Sequence, residues 1–532
     1  MGMASPIEMS SRQERVEMEA YLVEFGWMMF ALTVGVSLGT ATGCIPGFHV
    51  NNVALILLAV SPALVDLGIP LSAVAGIIVA TGIVHTFLNY IPSGLIGAPD
   101  ASTALSLLPG HRMLLQGQAA RGVAWSARGS QLGMLLSVPL VIVARIVFGP
   151  EIGVLLDLDD PSQGLYGLLR NVLPFILLGI SALLLLTETT RLDWPRFAQR
   201  WSGRRLGRDS RTAGIIAATG YFLLAGLYGW AVFELPARSP VNMPNPSLLL
   251  PSLAGLFGIS NLLDIYATTA ELPHQREEWS LPPAKPLMIP TFLSSIAGGA
   301  MAVLPGMTAA QATVLVMGGR NVAAKLRGEE GYGMDWETRS MDDLSIEELL
   351  ERAKRQAEEG PSDEDQRQDL EVIALLSATN TAVTVMVLGF LYIIGRSRSG
   401  ASLALKMMYP IDTWSGLEPT ADFIRLLAIT VASGLIAVPL MRQVGRMVLR
   451  LHEAIPLQSM VMGVIAFVVV LVVLSTGTIG LGVLIVGTIM GLLPPRIGIR
   501  RSHGMGIILV PIMIYTFGQA FEGGFDIFSL IF

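Results

Sequence analysis

Two short stretches place hydrogen-bonding side chains directly after a break in an apolar run. Residues 39–54 read GTATGCIPGFHVNNVA, and residues 298–313 read GGAMAVLPGMTAAQAT. In each, a segment of small residues halts at Pro-Gly, a short polar patch follows, and a new apolar run begins. The polar followers are His49, Asn51 and Asn52 after Pro46–Gly47, and Thr308 and Gln311 after Pro305–Gly306. A helix interrupted in this way leaves backbone carbonyls at its end and unpaired N–H groups where the next helix starts. In hydrocarbon such groups are costly unless a polar cavity, neighbouring protein or a bound solute satisfies them. The start of the second helix presents N–H donors and a partial positive charge, chemistry suited to an anion. Amides and hydroxyls beside it orient an oxygen-rich ligand without adding a full charge. These nine residues form the predicted substrate-binding set.

The two stretches are related. Superposing Pro46 on Pro305 aligns Gly39 with Gly298, Ala41 with Ala300, Ile45 with Leu304 and Gly47 with Gly306. A second pair follows, GAPDASTALSL at 97–107 and GRSRSGASLAL at 395–405. The offsets are 259 (305 − 46) and 298 (395 − 97), and the difference matches one acidic insertion between them. The chain therefore reads as a duplication, and paired broken helices at corresponding places of two halves mark a transporter's binding site. Candidates for the coupling ion or the path are Asp100, Ser102, Asn380 and Arg398. Asp100 has its counterpart in RSRSG, where Arg396 and Arg398 are basic. That pairing reads either as a cation site opposite a carboxylate site, or as two loop tips in water. His85 and Asn89 share a helical face, with no carboxylate identifiable nearby, and read as a packed or water-bonded pair. Glu24 reads as an interfacial residue at the start of the first helix.

The elements that hold these residues follow from composition. The chain is 52% hydrophobic and 14% charged, against about a quarter charged in soluble domains, and its mean hydropathy is +0.60. Apolar runs near the length that crosses a bilayer recur near 21–45, 48–66, 70–96, 123–149, 164–187 and 212–234. Others fall near 247–268, 287–304, 307–324, 371–395, 422–441, 456–475, 478–493 and 505–531. The expected fold is all-α: a polytopic integral membrane protein of 10–14 membrane helices, some broken or re-entrant, in two inverted structural repeats. Its parts are a polar N-terminal segment (1–20), repeat 1 (21–234), a connection with a partial helix (235–286), the start of repeat 2 (287–328), an acidic hydrophilic insertion (329–371) and the remainder of repeat 2 (372–532). The first apolar run lacks a small-residue cleavage site and reads as a retained helix. The net charge of −6 misleads, because residues 329–371 hold 16 acidic and 5 basic side chains, leaving the rest at +5. That insertion contains an amphipathic stretch, Ser345–Glu359, read as a solvated loop helix.

Arginines orient the chain. The loop after Thr187 and those around Arg442, Arg446, Arg450 and around Arg496, Arg500, Arg501 are predicted to be cytoplasmic by the positive-inside rule. The segment LPPRIGIRRSHG (493–504) reads as a basic cytoplasmic turn, within reach of phosphate headgroups. No P-loop, HExxH, GxSxG or CxxC spacing is present. A single cysteine, Cys44, and six scattered histidines suggest no metal site, and no cofactor or nucleic-acid partner is expected. Catalysis is not indicated.

The IPGFHVNN break, the run HTFLNYIPSGLIGAPDASTALSLLPGHRMLLQG, and later VLPGMTAAQA, GRSRSGASLAL and GLLPPRIGIRRSHGMG resemble the large membrane permease of the tripartite tricarboxylate transporters, TctA, in its archaeal branch. The resemblance runs from about residue 21 to 531 and leaves out the acidic insertion. It implies uptake of a small organic anion, a carboxylate, driven by a coupling cation (Na⁺ or H⁺) across the cell membrane. It also implies ligand binding at Pro46–Gly47 and Pro305–Gly306 with their polar followers. A small membrane subunit and an extracytoplasmic solute-binding protein are the partners the resemblance brings, besides membrane lipid. Phe48 and His49 stand where bacterial members carry a glycine-richer stretch. Two other readings compete: a flippase for polyprenyl-phosphate lipid carriers, which uses similar paired hairpins, and a non-transporting scaffold, which leaves the paired breaks unexplained.

Overall fold

A computed structural model describes residues 6–45, 50–96, 107–156, 164–186, 188, 211–241, 247–267, 274–304, 309, 312–313, 316–317, 363–416, 418–454 and 457–520. Among the described residues there is no strand. Among the described residues eight helices are long and apolar enough to cross a membrane, and three shorter apolar helices accompany them. The protein is an all-α, multi-pass membrane protein.

The first half begins with α1 (Pro6–Cys44), α2 (Val50–Asp66), α3 (Leu71–Leu88) and a π-helical turn at Pro92–Ile96. It continues with α4 (Leu107–Leu115), α5 (Ala119–Phe148), α6 (Pro150–Leu155), α7 (Leu165–Leu186) and α8 (Arg211–Glu234). Short helices α9 (Leu249–Leu253) and α10 (Ser260–Tyr266) flank a π-helical turn and lead into an extended strap at 274–283. The second half holds α11 (Ala284–Val303), α12 (Asp363–Ile394), α13 (Gly400–Met408), α14 (Ala421–Ala454), α15 (Leu457–Gly491), α16 (Leu493–Ile497) and α17 (Gly506–Ala520).

Glycine spacing explains how these helices approach. Gly35, Gly39 and Gly43 recur every fourth residue along one face of α1. A Cβ at each would stand 2.5, 2.7 and 2.7 Å from Ala80, Val84 and Leu88 of α3. The contacts advance together along both chains, so α1 and α3 are parallel, with α2 returning between them. On α5, Gly129 and Gly133 lie against the carbonyls of Ala374 and Ala378 on α12, so closely that neither position has room for a Cβ. Small residues that bring helix backbones this close are the usual means of packing where lipid supplies no hydrophobic drive.

The same contacts test the duplication. Gly39 packs on Thr81 and Val84; Gly298 packs on Thr379 and Ala382. The partners are offset by 259 on one helix (298 − 39) and by 298 on the other (379 − 81 and 382 − 84), the two offsets already seen at the motifs. A second contact is exchanged between halves: Gly76 of α3 meets Ile429 of α14, and Ala374 of α12 meets Gly129 of α5. Here 374 − 76 is 298 and 429 − 129 is 300. Directions complete the picture. α3 runs parallel to α14 (Gly76 at Ile429, Ile83 at Gly434), and α12 runs parallel to α5. α5 and α14 are antiparallel, since Gly434 meets Met134 and Gly445 meets Val123. Glu24 of α1 pairs with Arg425 of α14 at 2.6 Å, whereas Arg128 of α5 donates to the Pro282 carbonyl just before α11 at 2.9 Å. α1 and α11 thus enter from opposite faces. The halves are inverted, and each contributes one helix to the other's triad.

α3 and α12 are the most enclosed spans, each with 83% of its apolar window buried, against 17% for α1. They form the middle of the bundle. A second group of helices, α7, α8, α9, α15 and α17, packs around Leu173, Leu177, Phe222, Leu256 and Ile507. Within α15, Gly477 adopts φ 66° and ψ −154°, breaking it into the two apolar runs expected at 456–475 and 478–493. Tyr221 and Tyr228 of α8 donate to the carbonyls of Met490 and Val483, so the second arm runs antiparallel to α8.

Several expectations need correction. Glu24 is not at a helix start: α1 begins at Pro6, within the segment read as a polar lead, and Glu24 is held deep in it by Arg425. α12 reaches back into the stretch read as the acidic insertion. α12 begins at Asp363, and Asp369 and Glu371 are buried, because Arg112 reaches Asp369 at 3.4 Å. In the basic turn at 493–504 the side chains of Arg501 and His503 are partnered. Arg501 bonds Asp264 and Asn261, while the fully buried His503 Nε2 lies 2.6 Å from an equally buried Glu188 carboxylate. Ser345–Glu359 lies outside the described residues.

Candidate functional site

The first hairpin is built against α3. Thr42, near the end of α1, places its hydroxyl 3.2 Å from His85 Nδ1, so His85 packs across the α1–α3 seam, both side chains buried. Pro46, Gly47 and His49 lie outside the described residues. The chain is met again at Val50, the first residue of α2. Val50 and Thr384 of α12 approach Gly82 of α3 from two sides, at 3.8 and 3.9 Å from its Cβ position. The start of α2 therefore stands where the central helices of the two halves cross.

Asn51 makes one of the contacts between the halves. Its Oδ1 accepts the N–H of Ala401, in the first turn of α13, at 3.0 Å. Gly400 is required there, since a Cβ would stand 2.8 Å from the Asn51 Cβ. The rest of the α13 start is a capping box. Ser399 Oγ accepts the Ser402 N–H at 3.1 Å, and Ser402 Oγ accepts the N–H groups of Ser399 and Arg398 at 2.9 and 3.0 Å. Neither α2 nor α13 carries an acidic residue in its first turn. The first turns of two helices, one from each half, are thus brought together, and each carries the partial positive charge of a helix N-terminus. Beside them Arg398 loses water, which pushes its guanidinium down to about 10, still charged at neutral pH. Such an arrangement can hold an oxyanion.

Leu304 closes α11, and Pro305, Gly306, Thr308 and Gln311 lie outside the described residues, as do Asp100 and Ser102. Thr313 is described, and its hydroxyl donates to Thr379 Oγ1 on α12 at 3.2 Å. Asn380 is buried on α12, and its carbonyl accepts the Thr384 hydroxyl at 3.2 Å. Asn52 lies within α2. Of the residues predicted, Asn51, Asn380 and Arg398 are placed around the crossing of α2, α3, α12 and α13. Arg396 is stacked 4.7 Å over the Tyr166 ring and donates to its hydroxyl at 2.7 Å, and the same Tyr166 acts electrostatically on Arg398.

Sequence reading missed Thr313, Thr384 and the Ser399–Ser402 pair. Ser399 and Ser402 have the three-residue spacing of a capping box, a signal available in the sequence. Thr313 and Thr384 carry none, because a lone threonine in an apolar run most often bonds back to its own helix. The buried Glu188–His503 pair was also missed, its members being 315 positions apart.

Comparison with known proteins adds a family and a relative. The chain matches the family described as tripartite tricarboxylate transporter TctA over residues 29–335 and 348–506. An uncharacterized protein of Methanocaldococcus jannaschii is 26% identical over 281 residues, which are 53% of this chain. The matched part spans 58% of that relative's length. No solved structure matches the chain.

Proposed function

The chain belongs to the tripartite tricarboxylate transporter TctA family, and from that membership we propose that it is a permease carrying a small carboxylate across the membrane with a coupling cation. The observation that carries this reading is the hydrogen bond from the Ala401 N–H to Asn51 Oδ1. It brings the first turn of α13, from one repeat, against the first turn of α2, from the other. A carboxylate is a stronger acceptor than the Asn51 amide oxygen and bonds such N–H donors more tightly. The substrate oxygens are held by the N-termini of α2 and α13 and by Arg398. Pro46, Gly47, His49, Asn52, Pro305, Gly306, Thr308 and Gln311 are the further substrate-binding candidates. Asn380, Thr379 and Thr313 supply neutral oxygens for the coupling cation, with Asp100 and Ser102 as further candidates on the path. In keeping with the family, a solute-binding protein and a small membrane subunit deliver the anion.

Uptake into reconstituted vesicles tests this, with a Na⁺ or proton gradient and a panel of labelled mono-, di- and tricarboxylates. At least one carboxylate should accumulate only when a gradient is imposed. Pro46→Ala and Gly306→Leu should insert normally and lose that uptake. Failure of every carboxylate, with movement of polyprenyl phosphate instead, would replace this reading by the flippase.

A further inference from the structure

The outer turns of α5 and α14 carry the same device with different endings. Arg145 and Arg446 lie at corresponding ends of α5 and α14, one residue out of register (446 − 145 is 301, against the 300 that relates Gly129 to Ile429). Each lies over a buried tryptophan from a connecting segment: Arg145 is 5.9 Å from the Trp414 ring and Arg446 is 5.3 Å from the Trp279 ring. Arg145 is neutralised, because Glu151 receives both of its terminal nitrogens at 2.6 and 2.7 Å. Arg446 has no such carboxylate among the described residues. Glu278, the residue before Trp279, faces Arg121 instead, at 3.4 Å.

The surroundings of Arg446 are short of acceptors. Trp279 is 5% exposed, and its indole N–H has no hydrogen-bond partner among the described residues. The indole is clamped, since a Cβ on Gly445 would stand 3.0 Å from its ring and 3.3 Å from Val123. One turn earlier on α14, the Nε of Arg442 is buried and likewise has no acceptor among the described residues. Trp414 Nε1 and Arg145 Nε are likewise without a partner among the described residues, so what sets the Arg446 place apart is the missing carboxylate. Indole and guanidinium nitrogens only donate, and a ligand that completes this place brings oxygen acceptors and negative charge.

Its position says what brings them. α14 is 34 residues long, about 50 Å at 1.5 Å per residue, well beyond a bilayer core of about 30 Å. Its arginine-bearing end is the cytoplasmic one by the positive-inside rule. Arg112, Arg121, Arg128 and Arg276 all gather at that end around α4, α5 and the strap. Between the arginines, Met447 and Leu451 are 64% and 42% exposed, an apolar surface that acyl chains cover and a soluble anion does not.

We propose that Trp279, Arg442 and Arg446, with Arg450 at the rim, form a binding site for the phosphate of an anionic lipid in the cytoplasmic leaflet. The strap that carries Trp279 continues directly into α11, so the lipid fixes the base of the helix that ends at the second hairpin.

Native mass spectrometry of the full chain, released from micelles doped with phosphatidylglycerol or phosphatidylcholine, tests the site without reference to transport. The wild type should retain phosphatidylglycerol in preference. Trp279→Phe, which keeps the ring and removes the N–H, should weaken retention about tenfold, the value of one charge-assisted hydrogen bond. The double variant Arg442→Gln/Arg446→Gln should abolish the preference. Arg121→Gln, which removes a paired arginine from the same face, should leave it unchanged. Equal retention by wild type and both site variants overturns the proposal. Saturation by inorganic phosphate in the absence of any phosphatidylglycerol binding overturns the lipid source and assigns the site to a soluble anion. Loss of carboxylate uptake has no bearing on either result.

Discussion

Asn51 ties the start of α2 in one half to the start of α13 in the other. Its amide oxygen satisfies a backbone donor at the start of α13, and a buried donor left bare costs the desolvation of the group. Asn51→Ala should therefore destabilise the folded protein by about 1–2 kcal/mol, the usual value of a lost cap. Uptake should fall with it, because the α13 start loses its register against α2. Thermal unfolding in detergent and vesicle uptake measure the two effects. An unchanged midpoint together with unchanged uptake would remove Asn51 from the site. Its role was legible only in part. The polar patch after Pro-Gly pointed to Asn51 as a ligand-facing amide, but no local pattern names Ala401, 350 residues away.

Helix packing turns on where glycine is needed. Gly129 of α5 lies hard against the Ala374 carbonyl, whereas Gly179 of α7 has nothing within 4 Å of where a Cβ would stand. Gly129→Ala must push α5 from α12 and should cost roughly 1–3 kcal/mol or more, as overpacking does. Gly179→Ala meets open space and should raise stability by up to about 1 kcal/mol through helix propensity. Opposite shifts of the unfolding midpoint are expected, and a shared direction would refute the close α5–α12 packing. The Gly-rich composition announced close packing without saying which glycine touches what. Element ends were also less legible than element centres. α12 begins inside a run of acids, and charge run and helix overlap because Arg112 supplies a partner for Asp369 from the other half.

Across the molecule, the inverted repeat fixes which side each hairpin enters from. α1 starts at the end of the bundle where Arg425 and Arg145 lie, and α11 starts at the end where Arg128 and Arg446 lie. In a Cys44→Ser background, Glu19→Cys should react with a membrane-impermeant maleimide added to intact cells. Lys285→Cys should react only after permeabilisation. Labelling of both from one side would dismantle the inverted arrangement and, with it, the pairing of oppositely directed hairpins. Membrane class, most helix spans and the duplication were readable along the chain, since each depends on composition or spacing within a few dozen residues. Partnerships were not. Ala401 capped by Asn51, Gly39 and Gly298 on equivalent rungs, and Glu188 closed over His503 all join positions far apart in the chain. Such contacts arise only when two antiparallel halves exchange helices, because the backbone then brings together donors and acceptors that no periodicity of hydrophobic residues records.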